Sequence, residues 1–177
     1  AVITAAVALL SFGQPKFFSF IKLYPNRISV FAASRGSLDS SEISNIAKKI
    51  TVRIEGAGDP GSGVIVKKDG DRYTVLTAWH VVKDNRTGEE VGITTIDNKE
   101  HLWESKSLQR LGKVDMAVLT FTSKRNYQVA KIGDIKSVSM GTQIFVAGFP
   151  LPSSAIPYSF LRFLDGKVIA NANVAIP

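Results

Sequence analysis

The sequence predicts an all-β protein of antiparallel strands preceded by one short helix. Three observations predict this class: many short runs rich in β-branched residues, glycine-containing turn signals between them, and little sequence with helical periodicity. Short strands at regular spacing favour a barrel or a sandwich over a parallel α/β sheet. The 177 residues are enough for one domain or for two small barrels.

A helix is predicted over residues 39–50. Asp39 and Glu42 have the spacing of a capping box, in which each residue bonds the backbone of the other. Apolar residues then recur at helical spacing: Ile43, Ile46, Ala47 and Ile50. Such a helix has one apolar face, which we expect to pack on a sheet.

After residue 50 the apolar period changes to two. Strands are predicted at residues 51–55, 63–68, 72–77, 91–96, 116–121, 143–147 and 161–170. Two Asp-Gly pairs, Asp69-Gly70 and Asp165-Gly166, are typical of hairpin turns. The second pair is expected to divide the last predicted strand.

Composition excludes several kinds of site. The 22 Lys and Arg outnumber the 15 Asp and Glu, giving a net charge of +7, but the basic residues are scattered, which favours a solvated surface over a nucleic-acid interface. The absence of cysteine excludes disulfides, cysteine-bound zinc and a thiol nucleophile. With only two histidines, we expect neither a metal site nor a cofactor.

His80 is the best candidate for a catalytic group. A strand rich in β-branched residues ends at Thr77 and an apolar turn follows, so a histidine at this place is held rigidly and is also open to substrate. The other histidine, His101, follows a run of polar residues that predicts a solvated loop.

Asp115 is the best candidate for a carboxylate that orients His80. A histidine acting as a base needs a carboxylate to fix its tautomer and to stabilise its protonated form, and we expect that carboxylate to be buried. Asp115 precedes the apolar run 116–121, where an unpaired charge would be costly. Asp84 and Asp97 lie among polar neighbours and are predicted turn residues.

Three blocks of the sequence resemble successive motifs of bacterial trypsin-like serine proteases. They are Gly61-Ser62-Gly63-Val64-Ile65-Val66, Leu76-Thr77-Ala78-Trp79-His80-Val81-Val82 and Val114-Asp115-Met116-Ala117-Val118-Leu119. Weaker matches follow in the same order at residues 132–134, 141–142 and 146–150. The resemblance covers residues 40–177, and the blocks around His80 and Asp115 are the specific ones.

The resemblance implies two antiparallel barrels with the active site in the cleft between them. It implies that His80 is the general base and acid, that Asp115 orients it, and that the substrates are polypeptides. It also implies a nucleophilic serine after the aspartate, in a Gly-x-Ser-Gly-Gly block.

The sequence contains no Gly-x-Ser-Gly-Gly block. Ser62 precedes the histidine, and Ser153 and Ser154 lie in a proline-rich loop, so none of them is a good substitute. We therefore expect the second barrel to be incomplete and the 177-residue chain by itself to be inactive. We also expect the chain to be part of a longer enzyme, with a further C-terminal domain as one possibility.

The N-terminal dozen residues are almost wholly apolar, as in a secretion signal, but too few to span a bilayer. We therefore predict a signal-like segment over residues 1–38, a peptidase domain over residues 39–177, and export from the cytoplasm.

Two other functions remain open. One is a peptide-binding relative without catalysis, and the other is a basic barrel with salt-dependent affinity for nucleic acid or an anionic surface.

Overall fold

The computed structural model describes residues 39–86, 88–133, 138–151 and 160–169. The predicted signal-like segment and the loop with Ser153 and Ser154 lie outside the described residues. In chain order the elements are α1 (Ser40–Ile50), β1 (Thr51–Glu55), β2 (Gly61–Asp69), β3 (Arg72–Thr77), α2 (Trp79–Val82), β4 (Gly92–Thr94), β5 (Glu100–Leu102), a short 3-10 helix (Ser105–Ser107), β6 (Gln109–Arg110), β7 (Ala117–Thr122), β8 (Gln143–Gly148) and β9 (Arg162–Lys167).

The strands of the described residues form two antiparallel sheets, which confirms the predicted all-β class. Seven strands lie in the order β5-β4-β1-β2-β3-β7-β6, and β8 pairs with β9 in a separate sheet. Trp103, directly after β5, forms an isolated antiparallel bridge with Phe121 of β7. This bridge connects the β5 edge of the first sheet to β7, so the sheet curls into a barrel. Within the described residues the second barrel is incomplete and consists of the two-stranded sheet of β8 and β9.

Helix α1 forms as predicted. The Asp39 carboxylate accepts a hydrogen bond from the Glu42 amide at 2.8 Å, and the Glu42 carboxylate accepts one from the Asp39 amide at 3.0 Å. Both halves of the capping box are therefore present. The helix buries Ile43, Ala47 and Ile50 and continues directly into β1.

The barrel core is built from matched positions on β3 and β7. Tyr73 pairs with Phe121 and Val75 pairs with Leu119, and all four side chains are buried. The rings of Tyr73 and Phe121 stack with centroids 5.2 Å apart. Alternate residues of both strands therefore point inward, which is the period of two seen in the sequence.

The two Asp-Gly pairs have different outcomes. The first hairpin exists, but its two turn residues are Gly70 and Asp71, with Gly70 at a φ of 59°. The second hairpin prediction is wrong, because β9 continues through Asp165 and Gly166, which pair with Phe145 and Ile144 of β8. A neighbouring strand that supplies ladder partners outweighs the local turn preference of Asp-Gly.

His101 lies in β5, so the prediction of a solvated loop is wrong. Its ring stacks on Phe121 with centroids 4.8 Å apart, and its Nε2 lies 2.9 Å from the hydroxyl of Tyr127. The polar run before it forms a tight turn, in which the Thr95 amide donates to the Lys99 carbonyl at 3.0 Å. This turn ends directly at the strand, so the polar pattern does not reveal that the following histidine packs on the core.

Burial lowers the pKa of His101, the charge of Asp97 partly opposes this effect, and the charge of Arg125 adds to it. A lowered pKa means that the unfolded chain binds a proton more readily than the folded chain. The free energy of unfolding therefore falls as pH drops below about 6.5, the ordinary histidine value, and it levels off below the folded pKa.

We expect His101→Gln to flatten this dependence, because glutamine retains a hydrogen-bonding group toward Tyr127 and does not titrate in this range. Urea unfolding between pH 7.5 and pH 5 measures the effect, and one proton contributes at most about 1.4 kcal/mol per pH unit. Burial acts to raise the pKa of Asp97, but the hydrogen bond from Thr95, two backbone hydrogen bonds and the charge of Arg125 together outweigh it, so the pKa is lowered. The contribution of Asp97 to the free energy of unfolding is lost only near or below pH 4. It can therefore be told apart from that of His101, which changes at higher pH. An unchanged slope in His101→Gln would assign the dependence to another group.

Candidate active site

The ladder between β3 and β7 brings the two predicted site residues to one end of the barrel. Thr77 and Ala117 form the last pair of this ladder. His80 follows Thr77 by three residues, and Asp115 precedes Ala117 by two. Because the strands are antiparallel, the chain leaving β3 and the chain entering β7 meet at the same edge.

The single-turn helix α2 carries His80. Val81 and Val82, which follow the histidine, are buried in the barrel core and anchor this turn. Asn85 then fixes the end of the helix: its side-chain amide donates to the Val82 carbonyl at 3.1 Å, and its Oδ1 accepts from the Ala57 amide at 2.7 Å. Nothing in the local sequence distinguishes Asn85 from other polar loop residues, so this role could not be predicted.

Asp115 lies in the tight connection between β6 and β7. The Leu111 amide donates to the Met116 carbonyl at 2.9 Å and closes this connection. Gly112 within it has a φ of 61°, a conformation that glycine adopts without a steric penalty. The loop therefore presents Asp115 beside α2.

The carboxylate of Asp115 contacts His80 through both of its oxygens. Oδ2 lies 2.5 Å from Nδ1 of the His80 ring, and Oδ1 accepts a hydrogen bond from the His80 backbone amide at 2.9 Å. The hydrogen bond with the His80 ring lowers the pKa of Asp115 most, and the bond from the His80 amide lowers it further. The carboxylate is therefore ionised at neutral pH.

An ionised carboxylate only accepts hydrogen bonds, so Nδ1 of His80 must carry the proton that it donates to Asp115. In the neutral ring the basic nitrogen is then Nε2. This is the tautomer that a general base requires, because Nε2 can accept a proton from a nucleophile on the opposite side of the ring.

The expectation that Asp115 is buried is wrong for the described part of the chain. Its side chain is 57% exposed, and that of His80 is 36% exposed. The apolar strand begins at Ala117, so the aspartate lies in the loop before it rather than inside the barrel. Two exposed apolar side chains, Val114 and Met116, flank it.

The described residues contain no group of three or more His, Asp or Glu side chains that could hold a metal ion. Within the same part of the chain, no helix is both long and apolar enough to cross a bilayer.

The sequence matches the family model of the trypsin-like peptidase domain over residues 61–173. The chain belongs to the trypsin-like serine protease family. It is 32% identical to a serine protease HtrA-like protein of Staphylococcus haemolyticus over 128 residues, which are 70% of this chain and 18% of that protein. It is 37% identical over 92 residues to HtrA-like serine proteases of Staphylococcus aureus, or 51% of this chain and 11% of those proteins. This chain therefore spans less than a fifth of the length of these relatives.

The Gly61-Ser62-Gly63 motif of this trypsin-like chain begins β2 and packs closely against the turn that carries His80. A Cβ atom at Gly61 would overlap the side chain of Val81, the residue after His80. A Cβ atom at Gly63 would overlap Val75 in the core. The two glycines therefore let β2 approach α2 and β3 closely, which keeps the His80 turn seated on the barrel.

Proposed function

We propose that this chain supplies the histidine and the aspartate of a serine endopeptidase that hydrolyses peptide bonds with a His-Asp-Ser triad. The observation that carries the proposal is the contact of both Asp115 oxygens with His80, one to the ring and one to the backbone amide. This contact fixes the position, the tautomer and the charge environment of one imidazole. Those are the three properties that a general base needs.

In the proposed reaction a serine hydroxyl attacks the carbonyl carbon of the peptide bond, and its proton passes to Nε2 of His80. The protonated ring then gives this proton to the leaving amine, and an acyl-enzyme remains. Water attacks the acyl-enzyme by the same proton route and releases the carboxylate product. Asp115 holds the ring and stabilises its positive charge in both steps.

The relatives are named as HtrA-like serine proteases, which supports proteolysis, and their length supports a larger protein around this chain. We propose residues 39–177 as part of the peptidase domain, with polypeptides as substrates. We also propose export, on the apolar composition of the first dozen residues. The serine is expected in a Gly-x-Ser-Gly-Gly block encoded after Pro177.

The first test is to sequence the source gene past the codon for Pro177 and to express this chain together with the coding sequence found there. A fluorophosphonate probe, which reacts covalently with activated serine nucleophiles, is then added to the folded protein. We expect labelling at the serine of the Gly-x-Ser-Gly-Gly block and hydrolysis of an unfolded protein substrate such as casein.

The unmodified protein after heat denaturation is the control, because it keeps the serine but loses the His80–Asp115 geometry and is expected to remain unlabelled. A stop codon directly after Pro177, or another residue in place of the serine, would contradict the protease proposal. It would favour the alternative of a protease-like fold that binds peptides without cleaving them.

A further inference from the structure

We propose that Ser62 is a positioning residue that docks the second sheet onto the first barrel beside the His80 turn. The role of this docking in catalysis rests on the proposed function, whereas the docking itself does not. Ser62 lies in β2, and its side chain is almost fully buried, with 1% of the residue exposed. A buried hydroxyl at this depth needs hydrogen-bond partners.

Ser62 finds its partners in the backbone of Phe149, which is 87 residues away in the sequence. The Phe149 amide donates to the Ser62 Oγ at 2.7 Å, and the Ser62 hydroxyl lies 3.4 Å from the Phe149 carbonyl oxygen. The short first contact is the stronger one. One side chain of the first barrel therefore holds both polar backbone groups of a residue that belongs to the second half of the fold.

Phe149 lies just beyond the ladder of the second sheet. The last pair of that ladder joins Gly148 of β8 to Arg162 of β9. The amide of Phe149 is therefore outside the sheet pairing and uses the Ser62 hydroxyl as its acceptor. This arrangement fixes the end of β8 against β2.

The backbone of Ser62 is tied to the His80 turn at the same place. The hydroxyl of Thr77, the last residue of β3, donates to the Ser62 carbonyl at 2.8 Å, and Thr77 is itself buried. Thr77 also forms the final ladder pair with Ala117, two residues after Asp115. Ser62 thus joins the second sheet to the strand ends that carry His80 and Asp115.

This connection matters because the family resemblance implies an active site in the cleft between the two barrels. A triad works when its groups are held within fractions of an ångström of a productive arrangement. A residue that fixes one half against the other near His80 therefore sets the shape of the cleft, although its own atoms take no part in the reaction.

The test compares the unmodified 177-residue chain with Ser62→Ala by amide hydrogen exchange and residual dipolar couplings in NMR. In the unmodified chain we expect protection of the Phe149 amide, although it lies outside the β8–β9 ladder. In Ser62→Ala we expect its exchange to rise about tenfold or more, while the barrel amides of Val75 and Leu119 keep their protection. The residual dipolar couplings of β8 and β9 should then no longer fit the same alignment tensor as those of the barrel, because the two sheets are no longer held in one orientation.

Thr51→Val is the matched control. Thr51 is 2% exposed on the neighbouring strand β1, and among the described residues its Oγ1 has no hydrogen-bond partner. Removing this hydroxyl is expected to leave both the Phe149 exchange rate and the single alignment unchanged. The same loss of alignment in Thr51→Val would show that any buried hydroxyl of the barrel has this effect, and it would overturn the proposal.

Rapid exchange of the Phe149 amide in the unmodified chain would overturn the proposal without any variant, so it remains testable if Ser62→Ala fails to fold. Neither measurement uses peptidase activity. A chain with a protected Phe149 amide and no protease function would therefore disprove the proposed function alone. A chain with protease function and an unprotected Phe149 amide would disprove the docking alone.

Discussion

Replacing His80 with alanine is expected to lower kcat by about 10⁶-fold in the protein that contains this chain and the proposed nucleophilic serine. Without the imidazole, the proposed site loses its acceptor for the serine proton and its donor for the leaving amine. The folded state should persist, because Val81 and Val82 rather than His80 anchor α2 in the core. Peptide hydrolysis and circular dichroism on the same preparations measure the two effects.

His101→Gln is the matched control, since it removes the other histidine of the chain and leaves the His80–Asp115 contact in place. Assayed at pH 8, this variant should retain the kcat of the unmodified protein. Turnover close to normal in His80→Ala would remove His80 from the catalytic machinery. An equal loss in both variants would point to a general effect on the fold.

Strands that bury one face could be predicted from the sequence because their periodicity reports their environment. The bounds of β1 and β3 match the prediction, and each alternates buried residues with more exposed ones over at least part of its length. The short strands β5 and β6 were missed, because two or three residues cannot display a period. They pair through the barrel register, which is a property of the whole sheet.

The turn prediction at Asp165 and Gly166 failed for a related reason. Asp-Gly favours a hairpin in isolation, but both residues accept a place in a ladder when a strand lies alongside. The sequence around them says nothing about β8, which begins about twenty residues earlier. The turn preference of a dipeptide therefore determines the local structure only where no neighbouring strand is available for pairing.

The sequence was enough to predict which two residues form the candidate site. It was not enough to predict how exposed they are or what surrounds them. The motifs around His80 and Asp115 indicate which two residues meet, and the geometry brings them together. They do not indicate that Asp115 stays more than half exposed, because exposure depends on where the β7 ladder begins. Nor do they indicate the partners of Ser62, since Phe149 approaches it only through the packing of the two sheets.

Asp115→Asn is expected to lower kcat by about 10⁴-fold through the tautomer of His80. The amide oxygen of asparagine can keep the hydrogen bond from the His80 backbone amide, now 2.9 Å long, so the loop should stay in place. Its NH₂ group would then face Nδ1 in place of Oδ2. A donor at this position requires an unprotonated Nδ1, so the proton moves to Nε2, and the ring can no longer accept the serine proton there.

This tautomer change can be measured in the 177-residue chain without any activity, by long-range ¹⁵N–¹H correlation of the His80 ring above pH 7.5. We expect the unmodified chain to show a protonated Nδ1 and Asp115→Asn to show a protonated Nε2. Asp84→Asn, an exposed carboxylate four residues from His80, is the control and should keep the original tautomer. If Asp115→Asn also kept Nδ1 protonated, another acceptor would be holding the ring, and the orienting role would pass from Asp115 to that group.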